Sequence, residues 1–87
     1  MERRYVVECF WPDVRPGEVE QCAARARVAV DQMTGAGRRV IFSGSILVPA
    51  DEVVFYLFTS DSEEALREAC VRAAIPFERI LEAIHST

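Results

Sequence analysis

The chain has 87 residues, 51% of them apolar, and a formal net charge of −4. That length suits a single domain over residues 1–87 with little interior to spare, so an apolar content this high points to surface buried against a partner or ligand. All ten basic residues are arginine and they form no stripe, which argues against binding a nucleic-acid backbone.

Residues Arg4–Trp11 read as the first strand, with Tyr5, Val6, Val7, Cys9 and Phe10 in succession. Pro12 and Pro16-Gly17 break it. Val19, Cys22, Ala23, Ala26, Val30 and Met33 then recur at helical spacing, predicting a one-sided helix from Gly17 to Met33 that ends at Gly35-Ala36-Gly37. Arg39–Val48 is the second strand, interrupted by Gly44, and Pro49–Glu52 a short connection. Val53–Thr59 is the third strand, and the chain's longest unbroken apolar run, Val53–Phe58, lies within it, far short of a membrane span. Ser60 and Asp61 are both candidate caps for a second helix running to Ala74, with Ala65, Leu66, Ala69 and Ala73 as its buried stripe. Glu63–Arg67 and Glu68–Arg72 are spaced as i,i+4 ion pairs. Pro76 stops that helix, and Ile80–His85 is the last strand.

This order is βαββαβ, the ferredoxin-like two-layer α+β sandwich, with helices on one face of an antiparallel sheet. The sheet order expected is 4-1-3-2, because strands one and three are the most apolar and strands two and four carry the charges of edges, Arg38, Arg39, Glu82 and His85.

Side chains alternate along a strand, so the apolar residues divide into two sets. Tyr5, Val7, Cys9, Ile41, Phe55 and Leu57 are expected beneath the alanine-rich helices. Val6, Glu8, Phe10, Phe42, Ile46, Val54, Tyr56 and Phe58 then face away. Water is a poor neighbour for such a face, and the expected remedy is a homodimer with sheets face to face, as in dimeric α+β barrels. Such a pair either packs as a plain core or encloses a cavity for a small apolar ligand. Gly44 fits the cavity by removing a side chain, and fits equally a β-bulge or edge bend.

Glu8, mid-strand among Val6, Phe10, Tyr56 and Phe58, is the candidate catalytic residue. A carboxyl in apolar surroundings has a raised pKa, which suits acid–base chemistry near neutral pH. Tyr56 is its candidate partner as a hydrogen-bond donor, and Val6, Phe10, Phe42, Gly44, Ile46 and Phe58 are the candidate substrate-binding residues. The chemistry implied is isomerisation, cyclisation or dehydration of a small apolar carbonyl compound. The plainer reading is Glu8 paired with Arg4 at the sheet rim. Cys9, Cys22 and Cys70 form neither a disulfide framework nor a zinc motif. They are expected as reduced, core-packed thiols of a cytoplasmic protein, and MERRYVVECF carries no signal-peptide pattern.

RRYVVECFWP, VIFSGSILVPADEVVFYLF and SDSEEALREACVRAAIPFERI together resemble the small ferredoxin-like nickel-binding proteins of actinobacteria, otherwise a domain of unknown function. The absence of lysine and asparagine suits a GC-rich bacterial genome. The resemblance implies the same fold, a dimeric habit and nickel as ligand. By ungapped matching, however, the family's histidine of strand two falls on Gly44, its neighbouring tyrosine on Ile46 and its strand-three cysteine on Tyr56, while Glu8 keeps the acidic position. With His85 the one histidine, no cofactor is expected; Glu8, Cys9 and His85 shared across a dimer are the remaining donors for nickel. Three functions thus compete: a small-molecule-binding homodimer with isomerase or cyclase chemistry, a metal-binding protein, and an accessory module docking another protein.

Overall fold

The computed structural model describes residues 2–84 and Ser86. The elements follow in the order β1 (Arg3–Phe10), α1 (Pro16–Gly35), β2 (Val40–Val48), β3 (Val53–Ser60), α2 (Glu63–Arg72) and β4 (Arg79–Ala83), with a short 3-10 turn at Pro49–Asp51. All strand pairings are antiparallel, and the sheet order β2-β3-β1-β4 is the expected order read from its other edge. β4 ends at Ala83, and His85, where the predicted strand closed, lies outside the described residues.

Local chemistry sets the element ends. Pro16 opens α1, where its missing N–H costs nothing, and Glu18 accepts the Arg15 N–H at 3.0 Å. Gly37, at φ +81°, turns the chain out of α1 while the Arg38 N–H reaches back to the Met33 carbonyl at 2.8 Å. The cap of α2 is Ser62, one or two residues beyond the candidates; its hydroxyl accepts the Ala65 N–H at 3.1 Å. Ser60 is buried instead in the turn, its hydroxyl donating to the Ser62 carbonyl at 2.9 Å. Both expected i,i+4 pairs on α2 form, Arg67 to Glu63 at 2.9 Å and Arg72 to Glu68 at 2.7 Å.

Both helices lie on one face of the sheet. Their small residues, among them Ala26, Ala29, Ala65 and Ala69, leave space beneath them, and Tyr5, Val7, Cys9, Val40, Val54, Tyr56 and Phe58 fill it. The β1–β3 register dictates this choice, since Tyr5 lies opposite Phe58, Val7 opposite Tyr56 and Cys9 opposite Val54. Directly opposed residues share a face. The expectation for β1 therefore stands and that for β3 is reversed: Val54, Tyr56 and Phe58 go under the helices, while Phe55 and Leu57 go to the open face. The larger rings meet the shorter alanine stripes, a better volume match than Leu57 offers.

A bulge reverses β2 halfway along. Phe42 pairs with Phe58, but Gly44, not Ser43, pairs with Leu57. The extra residue shifts the alternation, so Phe42 packs on the core with its ring 5.1 Å from that of Phe58, whereas Ile46, opposite Phe55, stands on the open face. Ile41, expected in the core, is on the open face opposite Thr59 and 43% exposed.

Gly44 has φ +130°, a conformation that side chains resist, while a Cβ placed there would meet no atom within 4 Å. Gly44→Ala is therefore expected to lower unfolding free energy by about 1–2 kcal/mol through backbone strain alone. Denaturant unfolding measures it, and an unchanged midpoint would show that the bulge relaxes without cost.

Candidate functional site

Glu8 and Tyr56 do not form a pair. Glu8 extends from β1 onto the open face, opposite Phe55, while Tyr56 extends from β3 in the opposite direction and is fully buried beneath the helices. The residue opposite Tyr56 is Val7. Neither is Glu8 caged by apolar groups. Arg79, its neighbour on β4, donates from Nε to Oε1 at 2.7 Å and from Nη2 to Oε2 at 3.4 Å. The rim ion pair is thus the arrangement present, with Arg79 as the partner in place of Arg4. The hydrogen bond to Glu8 in turn raises the pKa of the Arg79 guanidinium.

Of the candidate substrate-binding residues, Val6, Phe10, Gly44 and Ile46 are on the open face; Phe42 and Phe58 belong to the core. The open face is nevertheless apolar. Val6 lies between Leu57 and Leu81, Phe55 between Glu8 and Ile46, and Val53 between Phe10 and Val48. Phe10 and Ile46 are 55% and 50% exposed. At one end of this face a groove of about 330 Å³ is lined by Arg4, Val6, Ser43, Leu57, Thr59 and Ile84, among others. Arg4, Ser43 and Thr59 were not foreseen as lining a site. Arg4 shares the alternation of Val6 and Glu8, a signal that was available; Ser43 reaches this end through the bulge, which no residue pattern announces.

The donor set for a metal does not assemble. Cys9 and Glu8 are consecutive on β1 and point to opposite faces, Cys9 being buried. His85, the third expected donor, lies outside the described residues. Of the three positions matched to nickel ligands, Gly44 and Ile46 have no donor atom and the Tyr56 phenol is under the helices. Among the described residues no three His, Cys, Asp or Glu side chains are grouped to hold a metal ion. These residues do not fit a nickel centre.

The cysteines are the small core residues expected, Cys9 from β1, Cys22 from α1 and Cys70 from α2, all free thiols. Burial pushes the Cys9 and Cys70 thiols up to about 12, with the neighbouring Cys22 adding to both. Burial, followed by the adjacent Cys22 thiol, also drives the Tyr56 phenol well above its ordinary value. All three groups are therefore held neutral at physiological pH and are unsuited to nucleophilic or proton-transfer work.

No protein-family model matches the chain, and no curated protein matches it. Among solved structures it is similar to the crystal structure of SCO4226 from Streptomyces coelicolor A3(2), with a TM-score of 0.71, 22% sequence identity and 100% of each chain covered. A likeness at that identity shows the shared α+β fold alone. Among the described residues no helix is long and apolar enough to cross a membrane.

Two measurements check the buried polar groups. Among the described residues the Tyr56 hydroxyl makes no hydrogen bond of good geometry, the adjacent Cys22 thiol being at most a weak partner, so Tyr56→Phe is expected to raise unfolding free energy by about 1 kcal/mol; a loss of similar size in calorimetry would reveal a strong partner for that oxygen. Thiols that ionise near pH 9 when unfolded but near pH 12 when folded favour unfolding as pH rises between those values. Stability is therefore expected to hold up to about pH 9 and to fall from there towards pH 12, a fall that Cys9→Ala shallows. A flat profile for the wild type over that window would contradict the assignment.

Proposed function

We propose that the protein is a small-molecule-binding homodimer whose open sheet faces pack against each other and roof the groove at the Arg4 end. The observation that carries this reading is the second apolar face: Val6, Phe10, Ile46, Val53, Phe55, Leu57 and Leu81 project from the side of the sheet that the helices leave uncovered. Three strands of about 25–30 Å and the shorter β4, at about 4.8 Å spacing, offer roughly 500 Å² per copy, so a pair buries about 1,000 Å², the lower bound for a specific interface. The Glu8–Arg79 pair arrives already neutralised, so it adds no net charge that would oppose a second copy of the same face. The dimeric habit of the nickel-binding family that the chain resembles points the same way.

The reading is one of binding and not of catalysis, because the acid and the phenol required for proton transfer occupy opposite faces. A cytoplasmic site of action accords with three unoxidised cysteines.

Light scattering on a sizing column tests the pairing. The wild type is expected to run as a dimer at micromolar concentration, and Ile46→Asp, which sets a carboxylate in the middle of the face, as a folded monomer. A wild-type monomer, or an Ile46→Asp protein still dimeric, would overturn the proposal. Nickel titration of untagged protein probes the competing reading: stoichiometric binding at micromolar affinity would replace the organic ligand with a cation.

A further inference from the structure

We infer that the groove takes a small amphipathic carboxylate, its head group on the Arg4 guanidinium and its apolar body along Val6, Leu57 and Ile84. The inference rests on the proposed dimer for its strength, since covering the face would withdraw Arg4 from water.

Arg4 stands on the central strand β1, between Thr59 of β3 and Ala83 of β4, all on the open face. The carboxylates on and around this sheet are committed: Glu82 to Arg3 at 3.8 Å, Glu8 to Arg79 at 2.7 Å, and Glu2 to Arg39, while Glu68 of α2 pairs with Arg38 at 2.9 Å. Among the described residues Arg4 has no carboxylate partner, although the chain as a whole is acidic. A guanidinium taken out of water without a partner costs several times what a paired one does. A ligand carboxylate removes that cost, and its two oxygens match the planar fork of N–H donors.

The other polar groups of the groove are the hydroxyls of Thr59, opposite Arg4, and Ser43, placed here by the bulge. One cation and two hydroxyls suit a single negative charge and fall short of what a phosphate ester demands. Val6, Leu57, Ala83 and Ile84 supply apolar lining, and the core residues Tyr5 and Phe58 border the groove from beneath. A volume of about 330 Å³ lies at the small end of ligand sites. Ligand and groove therefore match in charge, in size and in the separation of a polar end from an apolar one.

Calorimetric titration with hexanoate, hexanol and hexylamine, run beside light scattering on the same samples, tests this. Saturable hexanoate binding is expected, with hexanol about tenfold weaker and hexylamine weaker still. Arg4→Gln is expected to weaken hexanoate about tenfold while the protein stays folded, and the near-isosteric Thr59→Val to weaken it by a smaller factor. Equal binding of hexanol and hexanoate, an unchanged Arg4→Gln protein, or no saturable hexanoate binding would overturn the inference. A dimer that ignores hexanoate sinks the carboxylate site and leaves the pairing standing. A monomer that binds hexanoate through Arg4 does the reverse.

Discussion

The pairing of β1 with β3 decides what every other part of the molecule can do. Two helices cover one side of four strands, and residues directly opposed across the central pair share a side. With Val7 opposite Tyr56 and Val6 opposite Leu57, the rings of Tyr56 and Phe58 go beneath the alanine stripes of α1 and α2, and Leu57 and Phe55 are turned outward. A slip of one residue would exchange the two sets. The same register sends Glu8 outward to Arg79 and Tyr56 inward among the cysteines, which removes the proton-transfer pair and leaves a binding surface.

The elements themselves were legible because their signals are local. Helical spacing, Pro16, the Gly35-Ala36-Gly37 stop and the i,i+4 charges place α1 and α2 to within a few residues, and the apolar first and third strands between charged second and fourth ones point to the sheet order. The phase of β3 was not legible. Period-two reading works when one face is polar, and in Val53–Phe58 neither is. β2 failed for a different reason: an extra residue at the bulge between Phe42 and Gly44 means that residues before and after it obey opposite alternations, so Phe42 and Ile46 cannot share a face. Gly44 reads in the sequence as an interruption of the strand, and its positive φ shows that the backbone demands it, with open space beside it as a by-product. Glu8 drew notice as a carboxyl among apolar residues, but its partner came from a strand 71 residues away, a distance over which residue patterns carry no pairing information.

The structure redistributes the expected site residues between the two faces, and Glu8 and Tyr56 fall on opposite ones. The open side of the sheet remains the surface to explain, and its chemistry has shifted from an acid and a phenol to a guanidinium and two hydroxyls at the rim of an apolar floor. This shift follows from charge accounting. Glu8 is neutralised on the spot by Arg79, so the uncompensated charge of that face among the described residues belongs to Arg4. The Cys9 and Cys70 thiols and the Tyr56 phenol beneath the helices contribute to packing, their ionisation opposed by burial.

The most direct measurement of the central claim is the solvent exposure of individual methyl groups on the open face. With methyl-labelled protein and a soluble paramagnetic agent, the resonances of Val6, Ile46 and Leu57 are expected to stay as sharp as those of the core residues Val7 and Val54, while Val28 and Val71 on the outer helix surfaces broaden. Broadening of Val6, Ile46 and Leu57 to the extent seen for Val71 would show that nothing covers that side of the sheet.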